Sequence, residues 1–342
     1  MNFFLALLFA VNIGDPWWTV QESGRDTNLR GVSVAYDKHV GIKKNYFVWA
    51  SGSNGVILRS KDSGATWQSL KVEGGGDLDF RDVEAVDDRT AYVMSSGEGD
   101  KSHIYKTSDG GRTWTLQYSD KRQGFFLDSL ACDSATHCVA LSDPVAGKFL
   151  VLETDDGKHW RELPRDKMPA ALTGEGAFAA SGTAIALCGP HDIYFGTGGA
   201  RVARVFHSHD NGRSWTAAEI PIAAGQPSSG VFSVACIDSD EVIAVGGDYK
   251  EFGIAGQIAA ISKDYGATWS LTAQQPSGFR SAVGRVSSNG YATVGTNGTD
   301  FTHDGGIHWI HTEQLNLNAA TFRDDVGWGV GPHGVIARFK AH

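Results

Sequence analysis

The stretch Ser60-Lys61-Asp62-Ser63-Gly64-Ala65-Thr66-Trp67 decides the fold, because five more copies of its pattern follow it. They run Thr107 to Trp114, Glu153 to Trp160, Ser208 to Trp215, Ser262 to Trp269 and Thr302 to Trp309, and their shared core is Asp-x-Gly-x-x-Trp. The box aspartates are Asp62, Asp109, Asp155, Asp210, Asp264 and Asp304, spaced 40 to 55 residues apart. A period of that size marks a propeller or solenoid, in which each unit needs its neighbours to bury its apolar face. The box chemistry is that of a turn: an Asp carboxylate accepts backbone N–H bonds, Gly takes a positive φ, and Trp opens the next strand. The boxes therefore read as structural turns.

Between boxes the order of segments repeats. In the first unit, apolar runs at Arg30–Tyr36, Tyr46–Gly52, Val56–Ser60 and Trp67–Val72 read as four antiparallel strands. The phrase from Trp328 to Arg338 repeats that from Trp49 to Arg59, which supplies a seventh unit, but the chain stops before its fourth strand. Trp18-Thr19-Val20 has the pattern of a strand following a box, so the expectation is that the N-terminus completes the last blade and removes two free sheet edges. The predicted fold is an all-β, seven-bladed propeller over residues 15–342, preceded by an apolar segment over residues 1–14.

Composition agrees. There are 43 glycines and 11% aromatic residues in 342, as many short strands joined by tight turns require. The formal charge of −9 argues against general binding to nucleic acid. Met1 to Val11 is too short to span a bilayer and has the apolar core of an export signal, although no Lys or Arg precedes it. An exported, monomeric protein without a membrane span is expected. Cys132 and Cys138 flank a probable turn and are candidates for a cross-strand disulfide. Cys188 and Cys236 read as buried thiols. No metal-ligand spacing, dinucleotide fingerprint or haem attachment pair is present, so no metal and no cofactor are expected.

Subtracting the repeat isolates the charges that vary between blades. In an up-and-down blade, the start of strand one and the end of strand two lie at the same mouth of the channel, and the box turn lies at the other. Strand one is expected to begin at Arg30, Arg81, Asp128, Glu175, Gly230, Arg280 and Asn318 in the seven blades. Strand two ends near Asp143 and Asp248, with Tyr249 beside the latter. Arginines converging there suit a carboxylate, phosphate or sulfate. The alternative is a plug of mutual ion pairs.

The repeated Ser/Thr-x-Asp-x-Gly-x-Thr-Trp units resemble the Asp-box (BNR) repeats of sialidase-like propellers. The phrases Tyr105 to Trp114 and Gly327 to Gly334 resemble those of the photosystem II stability/assembly factor family and its bacterial relatives, over nearly the whole chain. That resemblance implies a scaffold that engages a client protein, with Arg30, Arg81, Asp128, Asp248 and Arg280 as ligand-binding residues. The sialidase-like alternative implies a glycosidase or lyase acting on an acidic carbohydrate. Its acid, base or nucleophile would come from Glu175, Asp82, Asp143 or Tyr249.

Overall fold

The computed structural model describes residues 17–36, 45–238, 240–323 and 325–340. The expected export segment and its residues 1–14 lie outside them. Seven four-stranded antiparallel sheets make up the described residues, six with their strands in sequence order and the seventh with the first described strand at its outer edge. Blade one holds Leu29–Tyr36, Tyr46–Gly52, Ile57–Ser60 and Gln68–Leu70. The only helical segment among the described residues is a 3-10 turn at Pro332–Gly334.

Ring closure follows the sequence expectation. Blade seven takes three strands from the C-terminal end, Ala319–Arg323, Val326–Val330 and Ile336–Lys340. Its outer strand is Trp18–Gln21, which pairs antiparallel with Ile336–Lys340 in the register Trp18↔Phe339 to Gln21↔Ile336. Trp18 is buried, and its indole Nε1 donates to Thr299 Oγ1 of blade six at 3.0 Å. The first described strand is thereby fastened to the last two blades.

The core is a set of layers between neighbouring blades, because each sheet is apolar on both faces. Between blades one and two, Trp49, Ile57 and Phe80 are fully buried, with Trp114 edge-on to Trp49 at 6.1 Å. Four of the six box turns share one hydrogen-bond scheme, and the sixth differs from it in having the His308 ring in place of a hydroxyl. In the first, Ser60 Oγ donates to Asp62 Oδ1 and accepts from Gly64 N–H, each at 2.8 Å, while the Asp62 carboxylate accepts from the Thr66 N–H and hydroxyl. In the second, bonds from Thr113 N–H and Oγ1 hold the Asp109 carboxyl down at about 2.

The third turn departs from expectation. Asp156, not Asp155, fills the box position: it accepts from Thr154 Oγ1 and from the Lys158 and His159 N–H groups. Asp155 instead pairs with Arg161 at 2.7 Å. The turn is one residue tighter here, since Gly157 N–H reaches Thr154 Oγ1 three residues back rather than four. Two adjacent aspartates left the register open, and local hydrogen bonding selects the second.

Cys132 and Cys138 are joined across the hairpin as expected, with Cα atoms 4.1 Å apart. Cys188 and Cys236 are a second disulfide, not two thiols. The first strands of adjacent blades run side by side around the channel. Cys188 ends strand one of blade four and Cys236 ends strand one of blade five, so their Cα atoms stand 5.8 Å apart.

Blade four carries the largest irregularity. Its first strand is only Ile185–Cys188, and the preceding segment, residues 174–183, enters the channel. Phe178 stacks on Phe232 with centroids 3.8 Å apart, the Ala179 carbonyl accepts from Arg81 Nη1, and Ser181 Oγ donates to the Ser281 carbonyl. Gly182 has φ +76°, and a Cβ there would stand 2.2 Å from Asp82 Oδ1. The plug thus depends on glycine where it passes blade two.

Closure makes a stability prediction. Trp18→Ala removes a buried ring and an indole hydrogen bond, so it should cost about 3–5 kcal/mol in guanidinium unfolding. Val20→Ala, at an exposed position of the same strand, should lie within about 0.5 kcal/mol of wild type. Equal losses would mean that the strand does not anchor the ring through Trp18.

Candidate functional site

One residue in strand one aims a side chain into the channel mouth. In blades one, two, three and five the pairing of strands one and two slips by one residue, between Leu29 and Gly31, Phe80 and Asp82, Leu127 and Ser129, and Val231 and Ser233. A bulge re-aims the unpaired side chain. The four bulge residues are Arg30, Arg81, Asp128 and Phe232, and all four line one cavity at the mouth, of about 550 Å³.

This pattern corrects three expected positions. The residue before each bulge is fully buried between blades, as are Leu29, Phe80, Leu127 and Val231. In blade six Arg280 occupies that inward place, and Ser281 takes the place facing the mouth. Arg280 is therefore wholly buried. Its guanidinium bonds Asp300, Ser277 Oγ (2.7 Å), Asn297 Oδ1 (2.6 Å) and the Phe279 carbonyl (2.7 Å). In blade five Phe232, not Gly230, is the mouth residue. Glu175 belongs to the plug's entry rather than to strand one, and is buried against Arg204 (Nε 2.8 Å), Thr197 Oγ1 (2.6 Å) and Leu172 N–H (2.7 Å). Arg280 and Glu175 are thus internal ion pairs.

Asp82 is also outside the cavity. It follows the bulge, so it faces the plug: Oδ2 accepts from Leu130 N–H at 2.7 Å. With Glu84 and Ser181 it lines a separate polar pocket towards the box face. Burial pushes its carboxyl well above the usual range. Asp248 ends strand two of blade five and caps a rim turn through Lys250 N–H at 2.9 Å.

The cavity has three chemical sectors. Arg30 and Arg81 flank Asp79: Arg81 Nε lies 2.7 Å from Asp79 Oδ2, and Arg30 Nε lies 4.0 Å from Oδ1. Each arginine side chain keeps about a quarter of its surface exposed. Burial and the neighbouring Arg81 charge lower the Arg30 pKa. Next come two carboxyls from blade three. Asp143 accepts from Ala177 N–H at 2.9 Å, and burial raises it to about 6. Asp128 is 1% exposed, and neither of its oxygens has a hydrogen-bond partner. Burial, then the Asp143 charge, push it well above the usual carboxylate range. The Arg81 charge opposes this, and the nearby Asp143 N–H does so less, its bond going to the Phe126 carbonyl at 3.0 Å.

The third sector is aromatic. Phe178 and Phe232 stack, Phe279 stands edge-on to Phe232 at 4.7 Å, and Tyr249, 45% exposed, closes the rim. Residue-type reasoning on charge missed this floor. Its signal lay in Gly176-Ala177-Phe178 and Gly278-Phe279, phrases in which an aromatic follows small residues.

No family model matches the chain. In fold it is similar to YCF48 bound to D1 peptide, with TM-score 0.68 and 13% identity over 96% of this chain and 99% of that one. YCF48 from Cyanidioschyzon merolae gives 0.66 at 14% identity, over 94% and 98%. A virginiamycin B lyase from Staphylococcus aureus gives 0.64 at 12%, over 95% and 100%. By sequence, 137 residues are 28% identical to a xyloglucanase of Hypocrea jecorina, and 130 residues are 28% identical to the vacuolar protein sorting/targeting protein 10 of Pyricularia oryzae. These segments cover 35% and 36% of this chain, but only 16% and 8% of those much longer proteins. The likeness to the photosystem II assembly factor is thus one of fold, that of a seven-bladed propeller.

Two predictions separate holding residues from offered ones. Arg280→Ala strands Asp300 as a buried unpaired charge, so unfolding free energy should fall by about 3–5 kcal/mol; a loss under about 1 kcal/mol would contradict an internal role. For Asp143 the folded carboxyl titrates near 6, above its value of about 3.9 in an unfolded chain. Folding therefore favours the protonated form, and wild-type stability drops as pH rises through this window. Asp143→Asn should gain about 2 kcal/mol on wild type between pH 4 and 7.5, read as the pH dependence of urea midpoints. A difference that stays flat would mean that Asp143 ionises as freely as in the unfolded chain.

Proposed function

We propose that this chain is an exported propeller scaffold that captures a protein client by a carboxylate-bearing segment at the mouth. The observation that carries this reading is the Arg30/Arg81 pair, two partly exposed guanidiniums sharing the single carboxylate of Asp79 beside an aromatic floor. One positive charge is left over to receive a carboxylate, and planar guanidiniums do so bidentately. The stacked rings give an apolar side chain of the same segment a surface to bury. The fold neighbour solved with a D1 peptide supports a peptide as the ligand class. Two disulfides and the apolar first residues support export. A glycosidase reading is weaker, because Glu175 and Asp82 lie outside the cavity and only Asp143 and Tyr249 remain of its four candidates.

A direct test uses fluorescent peptides of mixed sequence in two forms, with a free C-terminal carboxylate and with an amide. Wild type should bind the free acids about tenfold or more tightly, and the Arg30→Ala/Arg81→Ala double variant should lose that difference. Equal binding of acids and amides by wild type would remove the carboxylate from the reading.

A further inference from the structure

Asp128 is costly to leave as it stands. A carboxyl that is 1% exposed with two unpartnered oxygens has lost its water without gaining protein partners. It is a bulge residue in blade three, so the backbone turns it into the cavity rather than into the core. The nearest cation, Arg81, relieves it only in part, through its charge and not through a hydrogen bond. Arg81 spends Nε on Asp79 and Nη1 on the Ala179 carbonyl, and no ion pair joins it to Asp128. Arg30 sits one blade further round, beside Asp79. Asp143 faces the same space and has one hydrogen bond, from Ala177 N–H to Oδ1.

We propose that Asp128, with Asp143 beside it, forms a cation subsite that receives a primary ammonium or guanidinium group of the bound segment. The two oxygens of Asp128 and the free Oδ2 of Asp143 supply acceptors for a group that has only donors. Such an ion brings the charge that Asp128 lacks, in a pocket where bulk water does not compete. Because blades two and three are neighbours, the cation lies next to the carboxylate clamp. The ligand class is therefore a segment with a basic group beside its carboxylate, such as a chain ending in Lys or Arg, with apolar contacts to the aromatic floor. This rests on the mouth being the binding site, and sharpens that reading from "acidic" to zwitterionic. Burial raises both carboxyls above the usual range, and an entering cation favours their charged forms.

Three small probes separate the subsites: phenethylamine, its uncharged N-acetyl derivative, and 3-phenylpropionate, each titrated into the full chain by ligand-observed NMR. Wild type should bind the amine about tenfold or more tightly than the acetamide. Asp128→Asn, a near-isosteric change that removes an unpaired buried carboxyl and should fold, erases that preference while 3-phenylpropionate binds unchanged. Binding of the amine should also weaken as pH falls from 8 to 5, since Asp143 takes up a proton near 6. If amine and acetamide bind alike while 3-phenylpropionate binds, the cation subsite is overturned and the carboxylate clamp stands. If the amine binds in an Asp128-dependent way and 3-phenylpropionate does not, the cation subsite stands and the clamp falls. Binding of neither overturns both.

Discussion

The hydrogen-bonded pairing of Trp18–Gln21 with Ile336–Lys340 is the constraint on which the rest of the molecule depends. Each blade is apolar on both faces, so an open array would leave one face of its first blade and one of its last in water. Joining the two ends removes those faces and two sheet edges at once. It also fixes the number of blades, and hence the width of the channel that the first strands enclose. A seven-bladed channel is too wide for side chains alone to fill everywhere. Here residues 174–183 fill it, at the expense of a regular first strand in blade four.

Given that ring, a charged residue's role is set by one residue of register. Side chains in a strand alternate between faces, so the position before the bulge points between blades and the bulge points into the mouth. Arg280 and Glu175 have charges like those of Arg81 and Asp128, but each sits where partners surround it. Desolvating such a pair costs several kcal/mol per ion, which their mutual attraction and added hydrogen bonds repay. Their complete satisfaction is what marks them as structural. Arg30 and Arg81 keep solvent contact and share one acid, and Asp128 has no partner at all. Unmet electrostatic demand, rather than charge itself, is the ground on which a ligand role is proposed for Arg30, Arg81 and Asp128 and not for Arg280 and Glu175.

The sequence carried the fold because the signals that specify a propeller are local. A box turn needs an acceptor, a glycine and a ring at fixed spacing, and six copies fix the blade count; the Trp-x-x-Gly phrase supplies the seventh blade and its missing strand. Arg30, Arg81, Asp128 and Asp143 could be placed at the mouth because their blades keep the regular spacing. Arg280 could not be placed, since nothing local distinguishes Arg280-Ser281-Ala282-Val283 from Phe80-Arg81-Asp82-Val83 slipped by one residue. Glu175 misled for a different reason: blade four abandons the repeat just where the plug begins. The Cys188–Cys236 bridge and the aromatic floor are contacts between blades, and a repeat read within each blade does not contain them.

The plug also makes the two ends of the channel chemically independent. On the mouth side its Phe178 supplies the aromatic floor and its Ala177 N–H holds Asp143; on the box side its Ser181 and Gly182 meet Asp82. The acidic residues of blades two and three therefore face different compartments although they are close in space. Asp82 has a backbone donor and packs against glycine, so its surroundings are complete. Asp128 has neither, and it lines the mouth cavity. One inserted segment thus closes the channel to passage, completes one acid and leaves the other buried beside the mouth without a hydrogen-bond partner. The asymmetry of the site comes from blade four's departure from the repeat, not from the repeat itself.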